Sequence, residues 1–435
     1  MVFSGLTDST SDMTTTLAIP TIIDRHAEDA AFLWLLRDAA AKAPNYSLDD
    51  LAALDNRLEA HLDGLLIAGD SAWDICHAAL EIGEPGEVFV AALLALDSGD
   101  GVKVDSVLAV AQSSIVNLRA FGSALAWLDF HKVRGLVSAF CNSNQFIYNY
   151  LGVSAYALHR VDLGAKLNQG INSDNLILRA RSLRAAGELG RIDLLPAIQT
   201  CWQADDEATR FWSVWSSVLL GNSAAQLQLQ SFVFPGSTFG YPALQCAVRV
   251  LNSDAIRHWL SGLAQQEDTL RYALKGAGYT GNPLYVPSLL NQMVVPEYAR
   301  VAGEAFSMIT GIDLAYLDLD GDRPEGYQAG PTEDPGDENV GLDVDEDLPW
   351  PNPAVVNQWW SDNAHRFTAG ERYLCGERIS TQQCQFVLNS GFQRQRQAAA
   401  LELALMEPNT ALYEIRAPGF RQKKDFPAFK VDPVT

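Results

Sequence analysis

The 435-residue sequence predicts an all-α chain, a solenoid of stacked helical repeats that carries an acidic disordered insert and a small C-terminal helical module. Three observations predict it. Short segments place apolar residues three and four apart and are broken by Gly, Asn, Asp and Pro, with no alternating strand pattern of comparable length. DNLILRARSLRAAGELG superposes on DDEATRFWSVWSSVLLG at a shift of 31, which sets Asp174 on Asp205, Arg179 on Arg210, Leu183 on Val214, Leu189 on Leu220 and Gly190 on Gly221. Hydrophobic residues at 48% and charged residues at 19% supply the apolar surface of an ordinary globular core and exclude wholesale disorder.

The N-terminus, MVFSGLTDSTSDMTTTL, has neither a basic nor an apolar stretch of the kind a secretion signal needs, so residues 1–23 read as a polar disordered tail. The solenoid is placed over 24–312. Its longest apolar run, Val88 to Leu96, is nine residues long, where a bilayer needs roughly 17 or more. No membrane partner and a cytoplasmic location are expected. In the clear repeats, Ala185, Ala186, Ser216 and Ser217 are small enough for neighbouring helices to approach, and Leu183, Leu189, Val214 and Leu220 fill the space between layers. Gly190 and Gly221 stop their helices in the left-handed region, and Pro196 suits the first turn of a following helix. Weaker copies put Ala124 and Ala155 under Ala186, and Arg300 to Gly311 repeats the eleven-residue step from Arg to Gly. The acid before each inner helix and the Arg near its start suggest a ladder between stacked units.

Asp in the turn, Arg entering the second helix and Gly closing it resemble HEAT repeats, which implies a right-handed superhelix whose concave face binds another protein. Over almost its full length the chain also resembles a family of proteobacterial HEAT-repeat-like proteins often encoded beside type VI secretion genes. The likeness is carried by IDRHAEDAAFLWLLRDAA, LEAHLDGLLIAGDSAWDICHAAL, the central repeats, GERYLCGERISTQQCQFVLNSGFQRQRQAAALELAL and LYEIRAPGFRQ. No catalytic or binding residue is established in that family, so none is carried over.

After Gly311 the periodicity stops. Net charge is −22, and thirteen acids against the single base Arg323 fall between Asp313 and Leu348. Residues 313–348 therefore read as a flexible acidic insert, dispensable for folding, because such a composition buries too little apolar surface to offset its ordering entropy. Asp318, Asp320 and Asp322 take positions one, three and five of a calcium loop, but Arg323 stands at six and Ala329 at twelve, which breaks it. A C-terminal module is placed at 349–418. In it Pro353 opens a helix bearing Val355, Val356, Trp359 and Trp360, and a second helix starts at Phe392 with Arg394 and Arg396 near its beginning. Residues 419–435, with Arg421, Lys423, Lys424 and Lys430, read as a basic solvated tail.

The chemistry of the chain points away from catalysis. The six cysteines form no CxxC and read as reduced buried thiols. His77 and Glu81 share a helix face without a third ligand, GSTFG is not a nucleophile elbow, and no phosphate-cradling loop occurs. No metal and no cofactor is expected. No basic cluster precedes the acidic segment, which disfavours nucleic acid. The expected function is a non-enzymatic protein-binding scaffold, an adaptor for a type VI effector or spike component; the alternatives are an immunity protein masking a basic toxin and a lyase-like enzyme on a helical-repeat frame. Trp359, Trp360, Arg394 and Arg396 are the candidate partner-binding residues, since Trp and Arg dominate interface hot spots.

Overall fold

A computed structural model describes residues 19–330, 336, 341 and 343–425. Helices dominate, and among the described residues the strands are confined to one hairpin, β1 (Tyr373–Leu374) and β2 (Glu377–Arg378). The all-α expectation holds. No described helix is long and apolar enough to cross a membrane. Most of the expected N-terminal tail and Lys430 lie outside the described residues. The chain divides into two compact units, one of the described residues through Leu35 with Asn56–Leu125, the other of Leu36–Asp55 with the residues from Ala126 onward.

In chain order the first helices are α1 (Pro20–Ala40), α2 (Leu48–Ala68), α3 (Asp70–Ala79), α4 (Pro85–Ser98), α5 (Gly101–Ala111) and α6 (Ile115–Trp127). In the first unit α4 is apolar all round, and every residue from Val88 to Leu96 is buried, as a helix enclosed by others must be. Trp34 of α1 stacks on Phe89 with ring centroids 5.1 Å apart. The tail expected to reach residue 23 ends earlier. Pro20 opens α1 and Ile23 is buried, because Ile23, Ala27, Ala30, Ala31 and Trp34 form one stripe at helical spacing.

The second unit alternates between two layers. One consists of α8 (Phe146–Leu158), α10 (Leu176–Glu188), α12 (Glu207–Leu219), α13 (Gly240–Val250), α15 (Glu267–Thr280) and α17 (Pro296–Thr310). Against them pack α7 (Phe130–Cys141), α9 (Ala165–Ile171), α11 (Leu195–Gln199), the 3-10 segment Ser223–Phe232, α14 (Ser253–Leu263) and α16 (Val286–Gln292). Leu183, Val214 and Leu220 are buried between layers. Ser216 Oγ donates to the Leu183 carbonyl at 2.7 Å, and a Cβ on Gly187 would stand 2.5 Å from Ser216 Oγ, so small residues set this close packing.

Two details of the expected repeat are corrected. Leu189 is half-buried and the fully packed residue beside it is Glu188; Glu188 is the last residue of α10, and its paired carboxylate takes the inward position. Among the described residues Arg179 and Arg210 form no ladder. Arg179 donates to the Ser173 carbonyl at 2.7 Å and Arg210 to the Ala204 carbonyl at 2.7 Å, each closing its own turn.

The chain then continues through α18 (Pro353–Asn363), the β1–β2 hairpin, α19 (Thr381–Ser390), α20 (Gln393–Met406) and α21 (Gly419–Asp425). This segment is not a separate module. Leu401 and Ala404 of α20 share a core with Val214, Leu244 and Leu260, and the backbone between 372 and 412 crosses the C-terminal ends of the repeat helices. Those ends carry carbonyls that lack intrahelical partners. Leu412 N donates to the Glu188 carbonyl at 2.9 Å, Tyr373 N to Gly281 at 2.8 Å, Cys375 N to Met308 at 2.9 Å and Gly376 N to Ile309 at 3.0 Å. Arg372 Nε reaches the Thr280 carbonyl at 2.9 Å. The approach requires glycine at the helix stops: Gly281 has φ 70°, and a Cβ there would overlap the Tyr373 carbonyl.

The insert is not a flexible spacer over its described residues. Leu314, Leu319 and Leu348 are buried, and Asp345 is 4% exposed. Arg300 donates to Asp343 at 2.6 Å and lies 4.4 Å over the Trp350 ring, while Arg271 pairs with Asp345. A count of apolar area missed this, because the buried Arg300 of α17 and the half-buried Arg271 of α15 are met by carboxylates that the insert brings. The start of the tail is packed as well. Gln422 is buried and Arg421 donates to the carbonyls of Ala126, Trp127 and Leu128 at 2.9, 3.1 and 3.2 Å.

Two measurements check this fold. Gly236 shares the left-handed conformation but has nothing near a would-be Cβ, so Gly236→Ala is expected to cost about 1 kcal/mol. Gly281→Ala is expected to cost at least about 2 kcal/mol more, because backbone must move; equal costs by urea unfolding would remove the crossing segment from that helix end. Asp343→Ala with Asp345→Ala is expected to lower the unfolding free energy by at least about 2 kcal/mol, and an unchanged melting temperature would restore the flexible-spacer reading.

Candidate functional site

In the second unit the end of α17, the insert and α19–α20 enclose a groove of about 800 Å³. Its wall is apolar where Met308, Ile312, Leu314, Leu348 and Phe386 line it. Phe386 is 45% exposed, a large ring left in water at the edge of an open concavity. The rim is acidic, since Asp313, Glu346 and Asp347 line it and the latter two are exposed. One base, Arg394, faces them.

Arg394 is held rather than free. Its Nη1 donates to Glu304 Oε1 at 2.6 Å and its Nε to the Lys42 carbonyl at 3.1 Å, and Lys275 Nζ approaches Glu304 Oε2 at 3.4 Å. Burial pushes the Glu304 carboxyl up, but Lys275 and Arg394 outweigh it and hold the group below its ordinary range. The same arrangement recurs at Glu188, which accepts from Arg181 at 2.9 Å and from Arg184 at 2.7 Å. Burial there raises the carboxyl, and Arg181, Arg184 and Arg160 together bring it down to about 2. Glu402 is a third buried acid between two bases, Arg249 at 2.9 Å and Arg372.

The four residues expected to anchor a partner are separated by the structure. Trp359 and Trp360 are half-buried, edge-on to Phe306 at centroid distances of 5.7 and 6.2 Å, and Trp360 also meets Phe367 at 5.4 Å. They seal the last repeat against α18, because two indoles one turn from the buried Val356 are drawn into the same core. Neither lines the groove. Arg396 is fully buried. Its donors go to the Leu388 carbonyl at 2.6 Å, to Gln422 Oε1 at 2.5 Å and to Gln393 Oε1, and burial lowers its guanidinium to about 10. A surface anchor it is not. Arg394 alone of the four lines the groove.

Sequence reasoning missed Glu188, Glu304 and Glu402. A signal existed for the first: an acid in the last turn of a helix opposes the macrodipole and needs compensation, and Arg184 stands four residues before Glu188. Of the cysteines expected as buried thiols, Cys76, Cys141, Cys246 and Cys384 are buried and Cys201 and Cys375 half-buried, and burial pushes the Cys76, Cys246 and Cys375 thiols up to about 12. Comparison with protein-family models, with curated proteins and with solved structures finds no match to the chain.

The depressed carboxyl of Glu188 fixes a pH dependence. Its folded value of about 2 lies below its ordinary 4.5, so its contribution is complete above pH 4.5 and is lost as pH falls toward 2. Glu188→Gln is expected to destabilise by about 3 kcal/mol at pH 7. The gap to the wild-type chain should close over that acid range in denaturant titrations; a gap independent of pH would mean that the carboxylate charge is not what Arg181 and Arg184 require.

Proposed function

We propose that the chain is a non-enzymatic protein-binding scaffold whose working surface is the acidic-rimmed groove. The observation that supports this is the pairing of an exposed apolar ring, Phe386, with Asp313, Glu346 and Asp347 around one concavity. An apolar anchor contributes affinity and complementary charge contributes rate and register. The partner segment that fits is basic, with one large apolar side chain to set against Phe386 and Met308. The resemblance to type VI-associated HEAT-like proteins supplies the partner class, an effector or spike component for which this chain acts as adaptor.

The acid rim favours one second reading, an immunity protein that masks a basic toxin. Co-expression separates the two: an immunity protein abolishes the toxicity of its partner in the producing cell, whereas an adaptor leaves it active and is required for its delivery.

Glu346→Lys with Asp347→Lys reverses the rim at two exposed positions. Partner captured by the wild-type chain from the native cell is expected to bind this variant at least about tenfold more weakly, the equivalent of about 1.4 kcal/mol. Association with the wild-type chain should slow as salt rises. Equal capture by both chains, with the melting temperature unchanged, would remove the groove from the interface.

A further inference from the structure

Arg394 also lines a second cavity in the same unit, of about 290 Å³. We propose that this cavity binds a small planar carboxylate, held by Arg184 and Arg394 against the indoles of Trp212 and Trp215. The charge around it is opposite to that of the whole chain. Asp38, Glu188 and Glu304 are each shared by two bases, Lys42 and Arg416, Arg181 and Arg184, Lys275 and Arg394, and Glu414 pairs with Arg160. Seven bases thus stand against four acids in a chain whose net charge is −22. A local surplus of positive charge around a partly enclosed cavity draws an anion.

The donors left over have the shape of a carboxylate site. Arg184 gives Nε to Glu188 and lies 4.6 Å over the Trp212 ring with 42% of its side chain exposed. Among the described residues its two η nitrogens have no acceptor, and Nη2 of Arg394 has none. A guanidinium fixed by stacking presents a planar fork that matches a carboxylate in two parallel bonds. The amides of Gln245 and Gln397 add polar groups to the wall. The volume sits at the lower end of the roughly 300–1,000 Å³ of ligand sites, and the indoles favour a flat apolar body over a bare inorganic anion.

Isothermal calorimetry on the full chain tests this with indole-3-carboxylate, its neutral amide and inorganic phosphate. Saturable one-to-one binding of the acid is expected, with the amide and phosphate at least about tenfold weaker, the loss of one charge-assisted interaction. Arg184→Lys keeps the charge opposite Glu188 but loses the fork and the stack, and is expected to weaken the acid at least about tenfold. Should that variant melt early, Gln397→Leu, at an exposed position, is expected to weaken the acid by about threefold. No saturable binding of the acid at millimolar concentration overturns the proposal. So does equal binding of acid and amide, phosphate binding as tightly as the acid, or unchanged affinity in the variant that remains folded.

Discussion

The capping of helix C-termini by a distant stretch of the same chain is the constraint on which the second unit depends. Every α-helix ends with carbonyls that have no partner within it, and a layer of helices with their ends aligned concentrates that deficit along one edge. Here the backbone from Arg372 to Leu412 meets the deficit at α10, α15 and α17. The repeat glycines are consequently more than helix stops. The left-handed turn at Gly281 points an unprotected carbonyl outward while the missing Cβ leaves room for Tyr373 to reach it. At α17 the donors come from the tip of the hairpin, Cys375 and Gly376, both in the left-handed region, as a tight two-residue turn demands.

The electrostatics follow from the same geometry. Bringing α20 and the segment after it across the repeats buries Glu188, Glu304 and Glu402, and each is shared between two cationic side chains. A lone buried pair roughly balances desolvation against attraction, whereas at Glu188 and Glu304 each carboxylate oxygen meets its own base and the carboxyl is held below its ordinary range. Among the described residues the fully buried charges nearly balance, Arg37, Arg300 and Arg396 against Asp55, Glu188, Asp345 and Glu402, although the chain carries a surplus of acids. Part of the excess acid is solvated at the groove rim, where Glu346 and Asp347 are exposed. An acidic composition thus says little about the charge inside the fold.

The repeats were legible because periodicity and stop residues are local. The shift that pairs Arg179 with Arg210 and Gly190 with Gly221 is visible without any partner helix, and Pro353 and Phe392 mark helix starts for equally local reasons. What the sequence hid is non-local. Arg396 looked like a surface base, yet it shares a helix face with Ala399 and Ala400, both buried; that periodicity was available and outweighed by its charge. Trp359 and Trp360 looked like anchors because nothing in the sequence shows Phe306 beneath them. The groove could not be read at all, since Met308, Leu348 and Phe386 come from three distant stretches.

The packing of the described residues of the acidic insert shows how a repeat array ends. In the two clear copies the inner-helix arginine closes onto a carbonyl six residues back, at Ser173 and Ala204. In the last copy Arg300 makes no such bond among the described residues, and Asp343 with the Trp350 ring takes that place. A terminal repeat has one face with no further unit to cover it, and solenoids need a cap with a polar outer side. The insert and α18 provide one: Leu314, Leu319 and Val356 go inward onto the core of α16 and α17, while Asp318, Glu346 and Asp347 stay in water. Its acidity and its order are then compatible, because the acids that face inward are the ones the repeat arginines require and the rest keep the end of the stack soluble.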